Sequence, residues 1–168
     1  EPIKTWQTNV IGSLNILECA RSIKKECAII IITTDKVYEN KEWSFGYREN
    51  DSLGGHDPYS ASKAATEIAV SSWKRSFFKN SNFKIATARA GNVIGGGDNS
   101  LDRIVPDAIS NLRNGKKINV RNPNSYRPWQ HVLECLNGYL ILCEKLHLSD
   151  NFNIDNVNFG PEEINSKS

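Results

Sequence analysis

A tyrosine and a lysine lie four positions apart in the stretch DPYSASK, at 57–63. Asp57 can accept hydrogen bonds from free amides at the start of a helix, and the proline after it suits the first helical position, so the stretch predicts a helix from residue 58. Tyr59 and Lys63 then share one face of that helix. Free tyrosine ionises near ~10 and is a poor base at neutral pH, but a fixed positive charge beside it stabilises the phenolate. The pair therefore indicates hydride-transfer chemistry, although the same spacing also occurs on surface helices with no such role.

A short apolar run precedes this helix and ends in hydroxyl and charged side chains. The run CAIIII is followed at 33–36 by the sequence TTDK. Its length and composition are typical of a buried parallel strand over 27–34. Ligands of open α/β sheets bind beyond the carboxyl ends of the strands, so we expect the last three of these residues to meet the tyrosine and lysine in one site. For Thr34 alone the alternative is a strand-terminal cap, and for Asp35 and Lys36 it is a solvated turn.

Helical and strand patterns alternate through the first half of the chain. They predict a helix over 2–22, the strand over 27–34, a helix over 58–79 and a strand over 83–89. This alternation is typical of an α/β fold with a parallel sheet. The connection at 37–57, about twenty residues, is long for such a fold, so we expect it near the substrate.

From residue 92 onward the sequence becomes more basic and richer in loop-forming residues. The patterns predict a helix from 101 to before 115, a strand at 118–121, a helix at 128–147 and a candidate returning strand at 151–154. We expect this region to be part of a smaller substrate-binding domain.

The composition is ordinary for a soluble globular protein, with 39% hydrophobic and 24% charged residues among 168. A net charge of +2 gives no reason to expect nucleic acid or a membrane surface as a partner, and no apolar run approaches the ~18 residues that cross a bilayer. The cysteines form no C-x-x-C pair and the histidines are scattered, so we expect no metal site. The cysteines are interpreted as small buried side chains of a cytoplasmic protein in a reducing compartment.

Several long segments resemble those of one known family. They are the sequences at 5–12, 33–63, 88–107, 121–140 and 158–161, which extend over nearly the whole chain. On these segments the chain resembles the extended short-chain dehydrogenase/reductases, and within them the NAD-dependent dehydratases of nucleotide sugars. Asp35 and Lys36 stand where relatives acting on dTDP-glucose typically have Asp-Glu, which favours the branch that acts on CDP-glucose. The resemblance implies NAD as cofactor, CDP-glucose or a related nucleotide sugar as substrate, and a homo-oligomeric intact protein.

The resemblance also implies which part of the family's fold is present. Residues 1–95 correspond to the C-terminal half of a Rossmann-like, doubly wound parallel sheet, and 96–168 to part of the substrate-binding domain. The G-x-G-x-x-G motif that holds a dinucleotide pyrophosphate is absent, and the glycine cluster at 91–97 has the wrong spacing to replace it. We therefore expect an internal piece of a longer protein, which alone neither binds NAD nor turns over substrate. Its strand edge at 27–34 would favour association.

Each residue of the candidate catalytic set has a role that the resemblance implies. Tyr59, as phenolate, would remove the proton of the hydroxyl at the sugar's fourth carbon, with Thr34 hydrogen-bonded to the reacting oxygen. Lys63 would stabilise the phenolate and hold the nicotinamide ribose. Asp35 would be the acid that releases water from the sixth carbon, and Lys36 would assist proton movement at the fifth. The division of these last two proton steps is left open by the sequence.

Three further residues are expected beside the cofactor: Asn9, Thr33 and Val93. Asn9 matches the position that in relatives anchors a proton-relay water. The alternative for Asn9 is a buried polar residue of the first helix.

The expected substrate contacts are Asn92, Arg103, Arg121 and Arg127. Planar guanidinium groups bind phosphate oxygens bidentately, and a sugar nucleotide presents two phosphates. By resemblance, Arg127 matches the arginine that grips the diphosphate, and Asn92 matches a substrate-contacting asparagine. For Arg103 and Arg121 a solvated surface arginine is an equally good interpretation.

Three functions remain open from the sequence. The first is a part of a dehydratase acting on CDP-glucose. The second is a dehydratase or epimerase acting on another nucleotide sugar, because the residues that select cytidine are not identifiable. The third is a non-catalytic module that binds a sugar nucleotide.

Overall fold

The computed structural model describes residues 1–79, 81–125, 127–149 and 151–161. The chain divides into two compact units. Among the described residues, the first unit contains Glu1–Ala90 and Asn137–Phe159, and the second contains Gly91–Leu136 with Gly160 and Pro161.

The described elements are short strands and longer helices. The strands are β1 Cys27–Ile32, β2 Phe83–Ala90, β3 Val93–Ile94, β4 Gln130–His131 and β5 Asn156–Phe159. The α-helices are α1 Pro2–Trp6, α2 Gly12–Arg21, α3 Pro58–Trp73, α4 Ile104–Arg113 and α5 Val132–Leu148. A π-helical segment, Gln7–Ile11, joins α1 to α2, and a second one, Lys74–Phe78, continues α3.

The first unit contains a three-stranded parallel sheet with the order β1-β2-β5. In this register Cys27 lies beside Phe83, and Thr87 lies beside Asn156. The central strand β2 is almost wholly buried. The predicted α/β fold with a parallel sheet is therefore confirmed.

Helices cover both faces of this sheet. On one face Leu17 of α2 and Val70 of α3 pack with Ile85 of β2. On the other face Leu142 and Leu146 of α5 pack against the alanines of β2. Cover on both faces explains why β1 is a nearly continuous apolar run without alternation.

α5 approaches the sheet closely at Gly138. A Cβ added at this position would lie 2.5 Å from Cε1 of Phe159, a distance at which the ring must move. Tyr139 packs edge-on against the same Phe159 ring, with centroids 5.1 Å apart. Glycine at 138 therefore allows β5 and α5 to pack side by side.

Local sequence signals predicted the start of α3 correctly. The carboxylate of Asp57 accepts hydrogen bonds from the amides of Tyr59 at 2.9 Å and Ser60 at 3.1 Å, and Pro58 occupies the first turn. The helix predicted over 2–22 is present but contains the π-helical segment. Leu17 is in the core and Leu14 packs against it. Ile16 is 59% exposed, because it lies about 200° around the helix from Leu14.

Other predicted boundaries were wrong. Residues 118–121 form no strand: they are exposed and pair with no described strand. The returning strand lies at Asn156–Phe159 rather than at 151–154, where Phe152 and Ile154 instead pack under α5.

The helix predicted from 128 begins at Val132, because Gln130 and His131 pair with β3. The sequence-based division at residue 95 also placed 137–159 in a second domain, whereas these residues pack on the sheet of the first unit. In the described parts of the chain, no helix is long and apolar enough to cross a membrane.

Candidate active site

A single turn of 3₁₀ helix, Asp35–Val37, follows the carboxyl end of β1. Thr34 is buried at its start, where its hydroxyl accepts from the amide of Lys36 at 3.4 Å and donates to Oδ1 of Asp35 at 3.1 Å. Val37 at its end is fully buried. In this structure Thr34 therefore caps the turn, and its predicted bond to the reacting oxygen stays a prediction.

Tyr59 and Lys63 occupy the first turns of α3, which contacts the 3₁₀ turn. The Tyr59 side chain is 42% exposed and so is accessible to a ligand. Nζ of Lys63 donates to the carbonyl of Ile32 at 3.0 Å, which ties α3 to the end of β1. An ammonium has three N–H donors, and Ile32 accepts one of them.

Burial and a neighbouring charge act on the pKa of Lys63 in opposite directions. Desolvation lowers the pKa of this side chain, and the negative charge of Glu67, one turn later on α3, opposes that shift. A lysine with a lowered pKa releases its proton more readily than an exposed lysine, yet Glu67 favours the ammonium form. The phenolate of Tyr59 would be stabilised by that ammonium.

Asp57 links the start of α3 to the 3₁₀ turn electrostatically. The hydroxyl of Ser60 donates to its carboxylate at 2.6 Å and, with the two capping amides, holds the pKa of Asp57 below its usual range. The positive charge of Lys36 lowers the same pKa further. Lys36 and the N-terminus of the tyrosine helix are therefore near each other.

The sequence did not reveal a buried ion pair beside these residues. Nε and Nη2 of Arg89 donate to the two carboxylate oxygens of Glu67, at 3.0 and 2.9 Å. Thr33 donates to the same carboxylate, and Thr87 donates to it at 2.6 Å. Glu67 is 5% exposed and Arg89 is 2% exposed. An arginine within a predicted strand of a parallel sheet requires a partner if it is buried, so Arg89 was the available signal.

The long connection after the turn is fastened to the sheet by this arginine. Nη1 of Arg89 donates to the hydroxyl of Tyr38 at 2.8 Å and to the carbonyl of Glu49 at 3.0 Å. The Tyr38 hydroxyl donates to Oδ1 of Asn158 at 2.6 Å, and the Asn158 amide group donates to the carbonyl of Tyr47 at 2.9 Å. The connection therefore lies at the carboxyl edge of the sheet, near the 3₁₀ turn.

Asn9 lies in the first π-helical segment and contacts α3. Its side-chain amide donates to Oγ of Ser62 at 2.9 Å, and Oγ of Ser62 donates to the carbonyl of Tyr59 at 2.7 Å. The backbone carbonyl of Asn9 accepts a hydrogen bond from the hydroxyl of Thr66 at 3.0 Å. π-helical turns occur frequently at functional sites. Asn9 is partly buried against the helix of Tyr59, and its predicted relay role stays a prediction.

The remaining predicted cofactor and substrate residues lie in the second unit, except Thr33. The hydroxyl of Thr33 is directed to Glu67, so its predicted contact with NAD stays a prediction. Val93 is 40% exposed in β3, and the carbonyl of Asn92 accepts from the amide of Gln130 at 3.0 Å. The side chain of Asn92 is half-buried.

The three predicted arginines are exposed in the second unit. Arg121 donates to the carbonyl of Asp102 at 3.3 Å and forms an ion pair with its carboxylate at 4.0 Å. Arg103 precedes α4, and its charge contributes to the lowered pKa of Asp98, whose main cause is a hydrogen bond from Ser100. Arg121 therefore faces a carboxylate of its own unit. Within the described residues, no three histidine, cysteine or acidic side chains are close enough to hold a metal ion.

Comparison with known proteins gives consistent matches over this site. Residues 1–156 match the family described as the NAD dependent epimerase/dehydratase family. The chain is 43% identical over 173 aligned residues to CDP-glucose 4,6-dehydratase of Salmonella typhimurium, covering 100% of this chain and 48% of that protein. It is 26% identical over 165 residues to dTDP-D-glucose 4,6-dehydratase of Dictyostelium discoideum, covering 92% and 37%. The chain thus spans half or less of the length of these relatives.

A solved structure shares the fold. The dTDP-glucose 4,6-dehydratase of Bacillus anthracis, solved in complex with NAD, superimposes with a TM-score of 0.77 at 23% identity. The match covers 100% of this chain and 50% of that one.

Proposed function

Because the chain belongs to the NAD dependent epimerase/dehydratase family, we propose that the protein containing it converts CDP-glucose to CDP-4-keto-6-deoxyglucose. The observation that carries the proposal is the placement of the Asp35–Val37 turn against the helix of Tyr59, through the Lys63–Ile32 hydrogen bond and the charge of Lys36 near Asp57. A tyrosine-lysine pair alone suits oxidation. Asp35 and Lys36 beside the pair are proposed to move the protons that elimination requires. The similarity to CDP-glucose 4,6-dehydratase supports the same substrate.

NAD is the cofactor that this proposal requires. The residues present fit its nicotinamide end: Tyr59 is accessible, and Lys63 has N–H donors beyond the one that Ile32 accepts. Asn9, Thr33 and Val93 are the other proposed contacts. When bound there, NAD would supply reversible hydride transfer without net consumption.

Oxidation of the fourth carbon begins with Tyr59. Its phenolate, stabilised by the Lys63 ammonium, accepts the proton of the hydroxyl at that carbon. Thr34 rotates its hydroxyl to bond the same oxygen. The products of this step on the protein and sugar are a neutral Tyr59 and a ketone.

Elimination then uses the residues of the 3₁₀ turn. The ketone makes the proton on the fifth carbon acidic, and Lys36 assists its removal. Asp35 gives a proton to the hydroxyl of the sixth carbon, which leaves as water. A proton would then return to the fifth carbon, and the proton that Tyr59 gained would replace the one that Asp35 gave, so the net change is the loss of one water molecule.

The substrate's diphosphate would be bound by arginines of the second unit. Arg127 is the first candidate by its resemblance to the diphosphate-binding arginine of relatives, and Arg103 and Arg121 are further candidates. Asn92 is the proposed contact to the sugar.

The proposed setting is a cytoplasmic homo-oligomer. Exposed apolar side chains on the helices of the first unit support association, among them Ile3 at 73% and Ile68 at 61%. Sedimentation of the full-length protein tests this proposal, and a monomer at working concentration would contradict it.

Proton NMR of the reaction products tests the proposed activity in the full-length protein. Incubation of CDP-glucose with catalytic NAD should give a new methyl doublet from the sixth carbon, without net formation of reduced cofactor. Stoichiometric reduced cofactor with no methyl signal would show a simple oxidoreductase and refute the proposal. Parallel reactions with dTDP-glucose and UDP-glucose test the nucleotide, and faster turnover of either would move the assignment to that sugar.

A further inference from the structure

One ion pair holds both ends of the segment that contains the proposed acid and base. Thr33, immediately before the turn, donates its hydroxyl proton to Oε1 of Glu67. Tyr38, immediately after the turn, accepts from Nη1 of Arg89 at 2.8 Å. Glu67 and Arg89 are joined to each other by two hydrogen bonds, at 3.0 and 2.9 Å. The residues on both sides of the turn are therefore held by the same buried Glu67–Arg89 ion pair.

The turn itself has weak internal bonds. The amide of Val37 reaches the carbonyl of Thr34 at 3.3 Å, and the amide of Lys36 reaches the hydroxyl of Thr34 at 3.4 Å. Both distances are at the long end for hydrogen bonds, as is common in a 3₁₀ turn. The shorter bonds lie at its two ends, where the amide of Thr33 reaches the carbonyl of Ala88 at 2.8 Å and the carbonyl of Val37 accepts from Gly54 at 2.8 Å. The conformation of the turn thus depends mainly on hydrogen bonds to residues outside it.

We propose that Glu67 and Arg89 are positioning residues that fix Asp35 and Lys36 relative to Tyr59 and so set the rate of elimination relative to oxidation. This inference rests on the proposed function. Glu67 lies two turns after Tyr59 on α3, so the pair connects the oxidising helix to the eliminating turn by a rigid path. A misplacement of about 1 Å at a reacting group can cost about a hundredfold in rate.

A positioning role accounts for the buried ion pair better than a purely stabilising role does. Burying two charges carries a desolvation cost that their attraction often only offsets, so apolar side chains of similar volume can be as stabilising. An apolar pair, however, forms no directional hydrogen bonds. The planar guanidinium donates to Glu67, Tyr38 and the carbonyl of Glu49 at once, which fixes the orientation of all three.

Tyr38→Phe is the main test variant. It removes the bond between Arg89 and the end of the turn but leaves no charge unpaired, because Arg89 still donates to Glu67 and to Glu49. Thr33→Val removes the side-chain hydrogen bond to Glu67 at the other end and keeps the backbone hydrogen bond from Thr33 to Ala88. Thr87→Val is the matched control: Thr87 also donates to Glu67, at 2.6 Å, but it has no bond to the turn.

Hydrogen exchange of the full-length protein reports on the fastening without requiring activity. Tyr38→Phe and Thr33→Val should speed exchange of the amides of Val37 and Glu39 about tenfold relative to Thr87→Val, since weakened ends allow the turn to open. Exchange in the test variants equal to that in the control would overturn the inference.

Single-turnover kinetics separate positioning from stability. Tyr38→Phe should leave formation of reduced cofactor within about twofold of wild type and slow formation of the methyl product by about tenfold or more, so reduced cofactor accumulates transiently. Thr87→Val should keep the wild-type ratio of the two rates. A Tyr38→Phe ratio equal to that of the control would overturn the inference. If wild type forms neither reduced cofactor nor product, the proposed function fails, and the exchange measurement alone decides whether the pair holds the turn.

Discussion

The two units hold their predicted site residues in different ways. In the first unit, the carboxyl edge of the sheet is a network of buried side-chain hydrogen bonds centred on Glu67 and Arg89. In the second unit, the predicted arginines are exposed, and the described residues that are buried are Gln130 and Cys135. Groups that transfer protons must be fixed before the substrate arrives, whereas arginines that grip a diphosphate can be ordered by it.

Because of this contrast, we expect the predicted residues of the two units to have different roles. The turn and α3 are held by charge-assisted bonds within the protein, so their geometry does not depend on ligand. The described ion pair of Arg121 with Asp102 is exposed on both sides, and such a pair contributes little. Substitutions in the first unit should therefore change rate or stability, and substitutions in the second should change substrate affinity.

The largest expected effect is on the chemistry of the first unit. Tyr59→Phe in the full-length protein should lower turnover by about 100- to 10,000-fold and block oxidation, because the phenolate is lost. Asp35→Asn should leave oxidation possible and slow elimination on a similar scale. Stopped-flow absorbance of reduced cofactor and NMR of the methyl product measure the two steps.

The control for these variants is Tyr139→Phe, which removes a phenol from α5 on the opposite face of the sheet. It should keep wild-type turnover. If Asp35→Asn costs less than about tenfold in turnover, Asp35 is not the acid.

The next effect is on stability and compares the two units directly. Glu67→Ala leaves the Arg89 guanidinium buried without a carboxylate, so it should lower the free energy of unfolding by about 3–5 kcal/mol. Arg121→Ala removes an exposed pair and should change it by no more than about 0.5 kcal/mol. Urea denaturation measures both. A Glu67→Ala cost as small as that of Arg121→Ala would remove the contrast between the units.

A smaller effect is expected on substrate affinity. Arg127→Ala should raise KM about tenfold or more with little change in kcat, since one charged hydrogen-bonding group contributes about 1.5–3 kcal/mol. Arg113→Ala removes the same charge from the exposed end of α4 and should leave KM unchanged. Steady-state kinetics with CDP-glucose decide this, and equal KM values for the two variants would argue against Arg127 as a diphosphate ligand.

Short-range signals predicted the parts of the fold that depend on neighbours in sequence. The capping carboxylate of Asp57 fixed the first residue of α3, and the apolar run of β1 placed the 3₁₀ turn at the carboxyl end of a parallel strand. These features need only a few consecutive residues to be recognised. The catalytic roles assigned to the turn and helix stay predictions.

Features that depend on distant partners were missed. The Glu67–Arg89 pair joins residues that are 22 positions apart, and it forms only after α3 packs on β2. The strand predicted at 118–121 has apolar residues with β-branched side chains but finds no neighbour in the described chain, whereas Asn156–Phe159 is paired by β2. Strand propensity is expressed when a sheet edge is available, and sequence alone does not supply the edge.

The smallest expected effect concerns Asp57, an exposed carboxylate of the first unit that caps α3. Asp57→Ala should lower the free energy of unfolding by about 1 kcal/mol, because the first amides of α3 lose their cap. Asp57→Asn keeps an accepting oxygen and removes the charge. The pKa of Asp57 is lowered in the folded state, so its charge stabilises the protein above the unfolded value of about 3.9, and this contribution is lost as the pH falls through the folded pKa. The difference in stability between wild type and Asp57→Asn should therefore be present near neutral pH and shrink below pH ~4 in urea denaturation. A difference that is constant with pH would show that the cap acts through its oxygen alone, and that the charge of Asp57 does not contribute to holding Lys36 beside the helix.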